Sequence, residues 1–145
     1  MAHILVVDDE RSICELLEIT FRKDGHRVEV AMSGEAARRR LVSGVFDIVI
    51  SDIRLPDTSG VELLAYSKEV SPSSVFLLIT GVPTIETAIA AVNAGADRYV
   101  IKDHELVDQL RHGVNEVQEK LKLKSEARYL RRELRLALAE PGAER

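Results

Sequence analysis

The chain of 145 residues has no tryptophan and a single cysteine, and only 4% of its residues are aromatic. One cysteine cannot build a disulfide framework, and such sparse cysteine usage is typical of a reducing cytoplasm. No apolar run approaches the roughly 20 residues that a membrane span requires. The first residues also lack the basic flank and cleavage site of a signal peptide. These absences predict a cytoplasmic protein that makes no contact with a membrane.

An excess of basic charge is missing as well, because 24 acidic residues outnumber 20 basic ones. Without a basic footprint, we expect no direct nucleic-acid contact by this chain. The four histidines show no ligand spacing, so a metal site built on them is not expected. What the chain does contain is 46% hydrophobic residues, enough for one domain with a sizeable core.

Five short apolar runs alternate with segments of helical spacing. The runs lie near residues 4–7, 26–31, 48–50, 75–79 and 98–101. Helices are predicted at about 11–24, 34–42, 61–71, 84–93 and 105–140, with Pro141-Gly142 ending the last one. Strands that alternate with helices favour a parallel sheet with right-handed crossovers. We therefore predict a doubly wound α/β domain over residues 1–120 and a helical extension over residues 121–145.

Apolar residues recur at helical spacing within several of these segments. In the first helix they are Ile13, Leu16, Leu17 and Phe21, and in the Ala-rich fourth helix they are Ile85, Ala88, Ile89 and Val92. Cys14 falls within the first helix and is interpreted as a small core residue.

Polar residues follow four of the predicted strands: Asp8 and Asp9, Asp52, Thr80, and Lys102. Each has a plain interpretation by itself, as a helix cap, a turn former, an ordinary strand residue or a solvated lysine. The carboxyl ends of parallel strands, however, lie at the same edge of the sheet, where open α/β sheets place their ligands. Together these residues predict a crevice with three carboxylates, one hydroxyl and one ammonium group.

Three clustered carboxylates favour a hard divalent cation, and Mg²⁺ suits them because it also retains waters and phosphate oxygens. With the cluster neutralised, Asp52 can act as a nucleophile toward phosphorus and form an aspartyl phosphate. Phosphoryl transfer depends mainly on positioning and on stabilising the charge of three oxygens. The metal, the Lys102 ammonium and the Thr80 hydroxyl are suited to that task.

The segments VVDDE, ISDIRLPDTSG, LLITG and GADRYVIK occur in this order over about residues 3–120. In content and spacing they resemble the receiver domain of bacterial two-component response regulators. The resemblance implies a flavodoxin-like sheet of order 2-1-3-4-5 and Asp52 as the phosphoacceptor. It also implies a sensor histidine kinase as partner, and a signalling switch rather than an enzyme that turns over other substrates.

The same resemblance implies the metal ligands. Asp9 would bind Mg²⁺ directly beside Asp52, Asp8 would act mainly through a metal-bound water, and the backbone carbonyl of Arg54 would be a further ligand.

It also implies a switch. Thr80 and Tyr99 match the family's switch pair, and Lys102 matches its phosphate-sensing lysine; from the residues alone, Tyr99 is equally a core aromatic. The chain departs from the family after the lysine, where Asp103 replaces a proline that forms a cis peptide. A cis peptide without proline costs about 2.5–4 kcal/mol, so a trans bond is predicted between Lys102 and Asp103.

The fourth helix TIETAIAAVN and the tail LKLKSEARYLRREL resemble those of NtrC-like regulators, which activate sigma-54 polymerase through further domains. One apolar stripe of the last helix is suited to packing on the sheet: Leu106, Val107, Leu110, Val114, Val117 and Leu121. A second stripe has the spacing of a two-stranded coiled coil: Leu123, Ala127, Leu130, Leu134 and Ala137. We therefore predict a homodimer joined through residues 123–138.

Three other functions fit parts of the pattern. An aspartate-nucleophile phosphatase would need a second acid two residues after Asp52, where Arg54 stands. A nucleotide- or flavin-binding module would need a Gly-rich turn after the first strand, which is missing. A degenerate receiver that serves only as an interaction scaffold is disfavoured by the intact set of polar residues, although Asp103 leaves it open.

Overall fold

A computed structural model describes residues 1–139. Within them the strands are β1 His3–Val7, β2 Arg27–Ala31, β3 Ile48–Asp52, β4 Val75–Thr80 and β5 Arg98–Ile101. The helices are α1 Arg11–Lys23, α2 Gly34–Ser43, α3 Gly60–Val70, α4 Ile85–Ala94 and α5 Leu106–Ala139. The strands form one parallel sheet of order β2-β1-β3-β4-β5. The predicted doubly wound sheet and its flavodoxin-like order are confirmed.

The sheet separates two apolar layers, with β3 at its centre and all five β3 residues buried. Successive side chains of a strand point to opposite faces. Val6 and Ile50 therefore pack into the layer that α1 and α5 cover, whereas Leu5 and Val49 pack into the layer beneath α2, α3 and α4. Continuous apolar runs are what a strand covered on both faces requires.

Two helices bury fewer of their apolar residues than the spacing suggests. In α1, Cys14, Leu17 and Phe21 are buried, but Leu16 is 44% exposed. In α4, the larger apolar residues Ile85, Ile89 and Val92 are exposed, and the buried residue is Ala91. Since α4 is apolar on nearly every side, spacing alone does not determine which side faces the sheet.

Helix α5 continues without a break over 34 residues. Its first part packs on the sheet through the predicted stripe, of which these residues are buried: Leu106, Leu110, Val114 and Val117. Beyond Val117 the helix leaves the domain, and the second stripe is open to solvent, with Leu130 65% exposed. The predicted helix end at Pro141-Gly142 lies outside the described residues. Across residues 1–139, none of the helices combines the length and the apolar character needed to span a bilayer.

Candidate functional site

The four polar strand ends meet at one edge of the sheet, as the topology requires. Asp52 and Thr80 are the last residues of β3 and β4, and Asp8 and Lys102 directly follow β1 and β5. Asp8 and Thr80 are buried, and Asp52 is only 6% exposed. The sheet register thus assembles an acid pair, a hydroxyl and an amine from four separate stretches of sequence.

The Lys102 ammonium lies at the centre of this group. Its Nζ donates hydrogen bonds to Asp52 Oδ2 at 2.7 Å and to Glu10 Oε1 at 3.0 Å, and it is 2.7 Å from Asp8 Oδ2. Burial by itself would lower the pKa of Lys102, but the hydrogen bonds to Asp52, Asp8 and Glu10 outweigh it and raise the pKa. The side chain therefore stays positively charged.

Asp8 is the carboxylate with the least access to water. Burial raises its pKa, and the hydrogen bonds from the Lys102 ammonium and the Glu10 backbone N–H partly offset that increase. Its Oδ1 accepts from Glu10 N at 2.8 Å, whereas the buried Oδ2 is paired with the Lys102 ammonium 2.7 Å away. A buried carboxylate oxygen that lacks a donor is costly unless a cation satisfies it.

The carboxylate oxygens suited to a metal come from Asp8, Glu10 and Asp52, which offer atoms within 4.8 Å of one another. Oxygen ligands of this kind fit Mg²⁺, and the buried Asp8 Oδ2 already has a cation beside it in the Lys102 ammonium. Asp9, predicted to bind the metal directly, is not one of these three, but it lines the same pocket as Asp52 and Lys102. The residues present therefore fit a divalent cation.

Glu10 is the site residue that the sequence analysis missed. It follows Asp8 and Asp9 in the run VVDDE, and it is the residue that precedes α1. Its carboxylate is 57% exposed yet contacts Lys102. The signal was available, since a third acid directly after β1 lies at the same sheet edge, but nothing in the spacing favoured Glu10 over Asp9.

The loop after β3 is held tightly beneath Asp52. Gly60 N donates to Ile53 O at 2.7 Å, and a Cβ on Gly60 would lie 2.3 Å from the Asp52 carbonyl oxygen. The backbone N–H of Arg54 donates to Asp52 Oδ1 at 3.1 Å. Further along, the Asp57 carboxylate accepts from the first backbone N–H groups of α2. The loop therefore fixes both the backbone and the carboxylate of Asp52.

The loop after β5 brings Lys102 into the site without a cis bond. Within residues 1–139 every peptide bond is trans, which confirms the prediction for Lys102-Asp103. Lys102 N donates to Thr80 O at 2.8 Å, and Asp103 N donates to Ile101 O at 2.9 Å. The aspartate that replaces proline thus leaves the lysine aimed at Asp52.

Thr80 and Tyr99 are separate in this conformation. The Thr80 Oγ1 accepts from Val82 N at 3.1 Å, two residues further along its own chain. Tyr99 is half-buried, and its hydroxyl lies 2.8 Å from Thr87 Oγ1 on α4. Its ring packs in the layer beneath α4, so it links β5 to the helix whose outer face is apolar.

Comparison with known proteins identifies the family of this chain. The response regulator receiver domain family matches residues 4–114. The chain belongs to this family. It is 39% identical over 99 residues to the transcriptional regulatory protein ZraR of Klebsiella oxytoca, a match that covers 68% of this chain and 22% of ZraR. The chain thus spans about a fifth of that regulator's length.

Two solved receivers show the same fold. The response regulator TrrA of Thermotoga maritima, in complex with Mg²⁺ and BeF, is 33% identical with a TM-score of 0.73, covering 81% of this chain and 99% of TrrA. The beryllofluoride-activated NtrC4 receiver domain dimer is 30% identical with a TM-score of 0.76, covering 83% of this chain and 98% of that receiver-domain chain. The predicted likeness to NtrC-like receivers is confirmed.

Proposed function

We propose that this receiver accepts a phosphoryl group on Asp52 from a partner sensor histidine kinase, with Mg²⁺ bound beside the acceptor. The observation that carries the proposal is the position of Asp52, whose carboxylate opens into a pocket and lies 2.7 Å from the Lys102 ammonium. A carboxylate so placed can attack phosphorus while a cation faces the transferred oxygens.

The chain's own residues would divide the work. Asp8, Asp9 and Asp52 carboxylates and the Arg54 carbonyl would hold Mg²⁺, with Glu10 at the rim of the same cluster. When bound, the metal supplies positive charge that screens the carboxylates from one another and from the incoming phosphoryl oxygens.

Two further residues would orient the transferred group. Lys102 would contact one phosphoryl oxygen and Thr80 another. Gly81 borders the pocket, and a Cβ there would meet nothing closer than 3.9 Å. The open space beside Gly81 is where the incoming phosphodonor would fit.

Phosphorylation would act as a switch through Thr80. The phosphoryl group adds about −1.5 to −2 charge at Asp52. A charge-assisted hydrogen bond from the Thr80 hydroxyl is worth roughly 1.5–3 kcal/mol, which would draw it from its contact with Val82 N. Tyr99, whose hydroxyl is hydrogen-bonded to Thr87 in this conformation, would then move inward and reshape the outer surface of α4 and β5. That surface is apolar, with Ile85 80% exposed.

The output would be transcriptional control in the cytoplasm. The likeness to ZraR, a transcriptional regulatory protein, supports a chain in which residues 1–120 form the receiver and residues 121–145 a linker toward a sigma-54-activating domain. The exposed second stripe of α5 supports a homodimer through residues 123–138. Control of transcription would then pass through dimer geometry, without nucleic-acid contact by this chain.

The test is nuclear magnetic resonance of the labelled chain with Mg²⁺ and beryllofluoride, a stable mimic of the phosphoryl group. We expect backbone shifts at Asp52, Thr80 and Tyr99 that depend on both additives together. Unchanged spectra at millimolar Mg²⁺ and saturating beryllofluoride would contradict the proposal.

A further inference from the structure

The part of α5 beyond the receiver has an apolar seam with a charged flank on each side. The seam is the second stripe, which consists of Leu123, Ala127, Leu130, Leu134 and Ala137. The seam residues alternate at spacings of four and three, which places Ala127 and Leu134 at heptad position a and Leu123, Leu130 and Ala137 at position d. The helix is continuous through all five. The three leucines are more than half exposed, so the receiver itself leaves the seam uncovered.

The flanks of the seam carry opposite charge. One flank, heptad position g, is acidic and consists of Glu119, Glu126 and Glu133. The other flank, position e, carries the basic residues Lys124 and Arg131. All five side chains are exposed, and within residues 1–139 none takes part in a salt bridge. Their charges are therefore available to a partner helix.

This charge pattern distinguishes the two ways in which a second copy can pair. In a parallel pair each g residue faces the e residue five positions further along the other helix. Glu119 would then face Lys124 of the second copy, and Glu126 would face Arg131 of the second copy. In an antiparallel pair, g faces g and e faces e, so glutamates would oppose glutamates and basic residues would oppose basic residues.

We propose that residues 119–138 pair with a second copy of the chain as a parallel, in-register, two-stranded coiled coil. The partner is a second copy of this chain, because the acidic flank of one helix complements the basic flank of the other. The proposal rests on the dimerisation described under Proposed function and adds its orientation. Both receivers then lie at the same end of the coil, which raises the local concentration of each apolar α4 surface for the other.

Cysteine cross-linking tests the orientation in the full chain. In a Cys14→Ala background, Leu123→Cys and Ala137→Cys are made separately and oxidised with a glutathione buffer. Parallel pairing brings like positions together, so each variant alone should form a disulfide dimer. Antiparallel pairing would instead cross-link only a mixture of the two variants. Arg132→Cys, on the outer face of the helix, is the matched control and should stay monomeric on a non-reducing gel.

Charge reversal tests the pairing of the flanks. Glu126→Lys sets a lysine against Arg131 of the second copy at two symmetric places in the dimer. Exposed ion pairs are each worth roughly 1.4- to 5-fold in affinity, so the dimer Kd should rise roughly 2- to 30-fold. Adding Arg131→Glu to the same chain should restore most of the loss. A double variant no tighter than the single one would overturn the assigned pairs.

The outcomes distinguish the proposed parallel orientation from the dimerisation on which it rests. A chain that is monomeric by light scattering at tens of micromolar overturns both the dimer and its orientation. A dimer that cross-links only in the mixture overturns the orientation and leaves the dimer intact. Neither result affects phosphorylation of Asp52, which is measured on the receiver itself.

Discussion

Replacing Lys102 by methionine should make the protein bind Mg²⁺ more tightly. The Lys102 Nζ lies 2.7 Å from both Asp8 Oδ2 and Asp52 Oδ2, and its side chain is only 7% exposed. An ammonium in that position uses the oxygens that a metal needs, so the two cations compete. Lys102→Met removes the competitor and leaves every carboxylate in place.

The size of the gain follows from the interactions that the ammonium must give up when a metal binds. A hydrogen bond to a charged group is worth roughly 1.5–3 kcal/mol, or roughly 10- to 150-fold in affinity. Lys102 can keep its third interaction, with the exposed Glu10, which recovers part of the cost. We therefore expect the Mg²⁺ Kd to fall by about tenfold, at the lower end of that range.

Isothermal titration calorimetry measures the Kd directly, and the chain has no tryptophan to report binding by fluorescence. Thermal unfolding gives a second readout, because a ligand that binds the folded state raises Tm, and Mg²⁺ should raise it more in the variant. Lys23→Met, at an exposed position in α1, controls for the change in net charge. An unchanged or higher Kd in Lys102→Met would refute the competition.

Three further changes test other parts of the account. Thr80→Ala should still be phosphorylated, but light scattering should no longer show a change in association on phosphorylation, because the hydroxyl that would bond the phosphoryl group is gone. Thr80→Ser keeps a hydroxyl and should keep the change in association. A normal response in the alanine variant would count against the switch. Gly60→Ala should lower the free energy of unfolding, measured in urea, by about 1–3 kcal/mol, since its Cβ would lie 2.3 Å from the Asp52 carbonyl oxygen. Gly81→Ala has open space and should leave the free energy of unfolding nearly unchanged. Equal stabilities of the two variants would show that Gly60 does not lie tightly against the Asp52 carbonyl. The double change Leu130→Asp, Leu134→Asp should convert the dimer to a monomer, because it would bury charge in the apolar seam of the coiled coil. Leu136→Asp, outside that seam, should remain dimeric. A dimer in both variants would place the interface elsewhere.

The fold followed from the sequence because two patterns agree. Apolar runs of three to six residues are too short for helices, and helical spacing separates them, so a parallel sheet was the consistent arrangement. Once the strands are parallel, the meeting of Asp52 with Lys102, 50 residues later in the chain, follows from topology alone. The 2.7 Å distance between the Lys102 Nζ and Asp52 Oδ2 agrees with that prediction.

What the sequence did not reveal depends on the directions of individual side chains. Glu10 and Asp9 are adjacent acids after the same strand, and the turn into α1 decides which of them faces Lys102. The apolar residues of α4 satisfy helical spacing in several directions, so its exposed Ile85 face could not be distinguished from its buried one. Tyr99 fits two roles by sequence, as a core aromatic or as a switch residue, and the 2.8 Å contact of its hydroxyl with Thr87 Oγ1 could not be predicted from spacing.

Whether Asp52 alone accepts the phosphoryl group is measured most directly by intact-protein mass spectrometry after treatment with Mg²⁺ and a small phosphodonor. The wild-type chain should gain roughly 80 Da, the mass of one phosphoryl group on a carboxylate, and chelation of the metal should abolish the gain. Asp52→Asn should gain nothing, while Asp108→Asn, an exposed position on α5, should be labelled like the wild type. Full labelling of the Asp52→Asn variant would contradict the assignment of the acceptor.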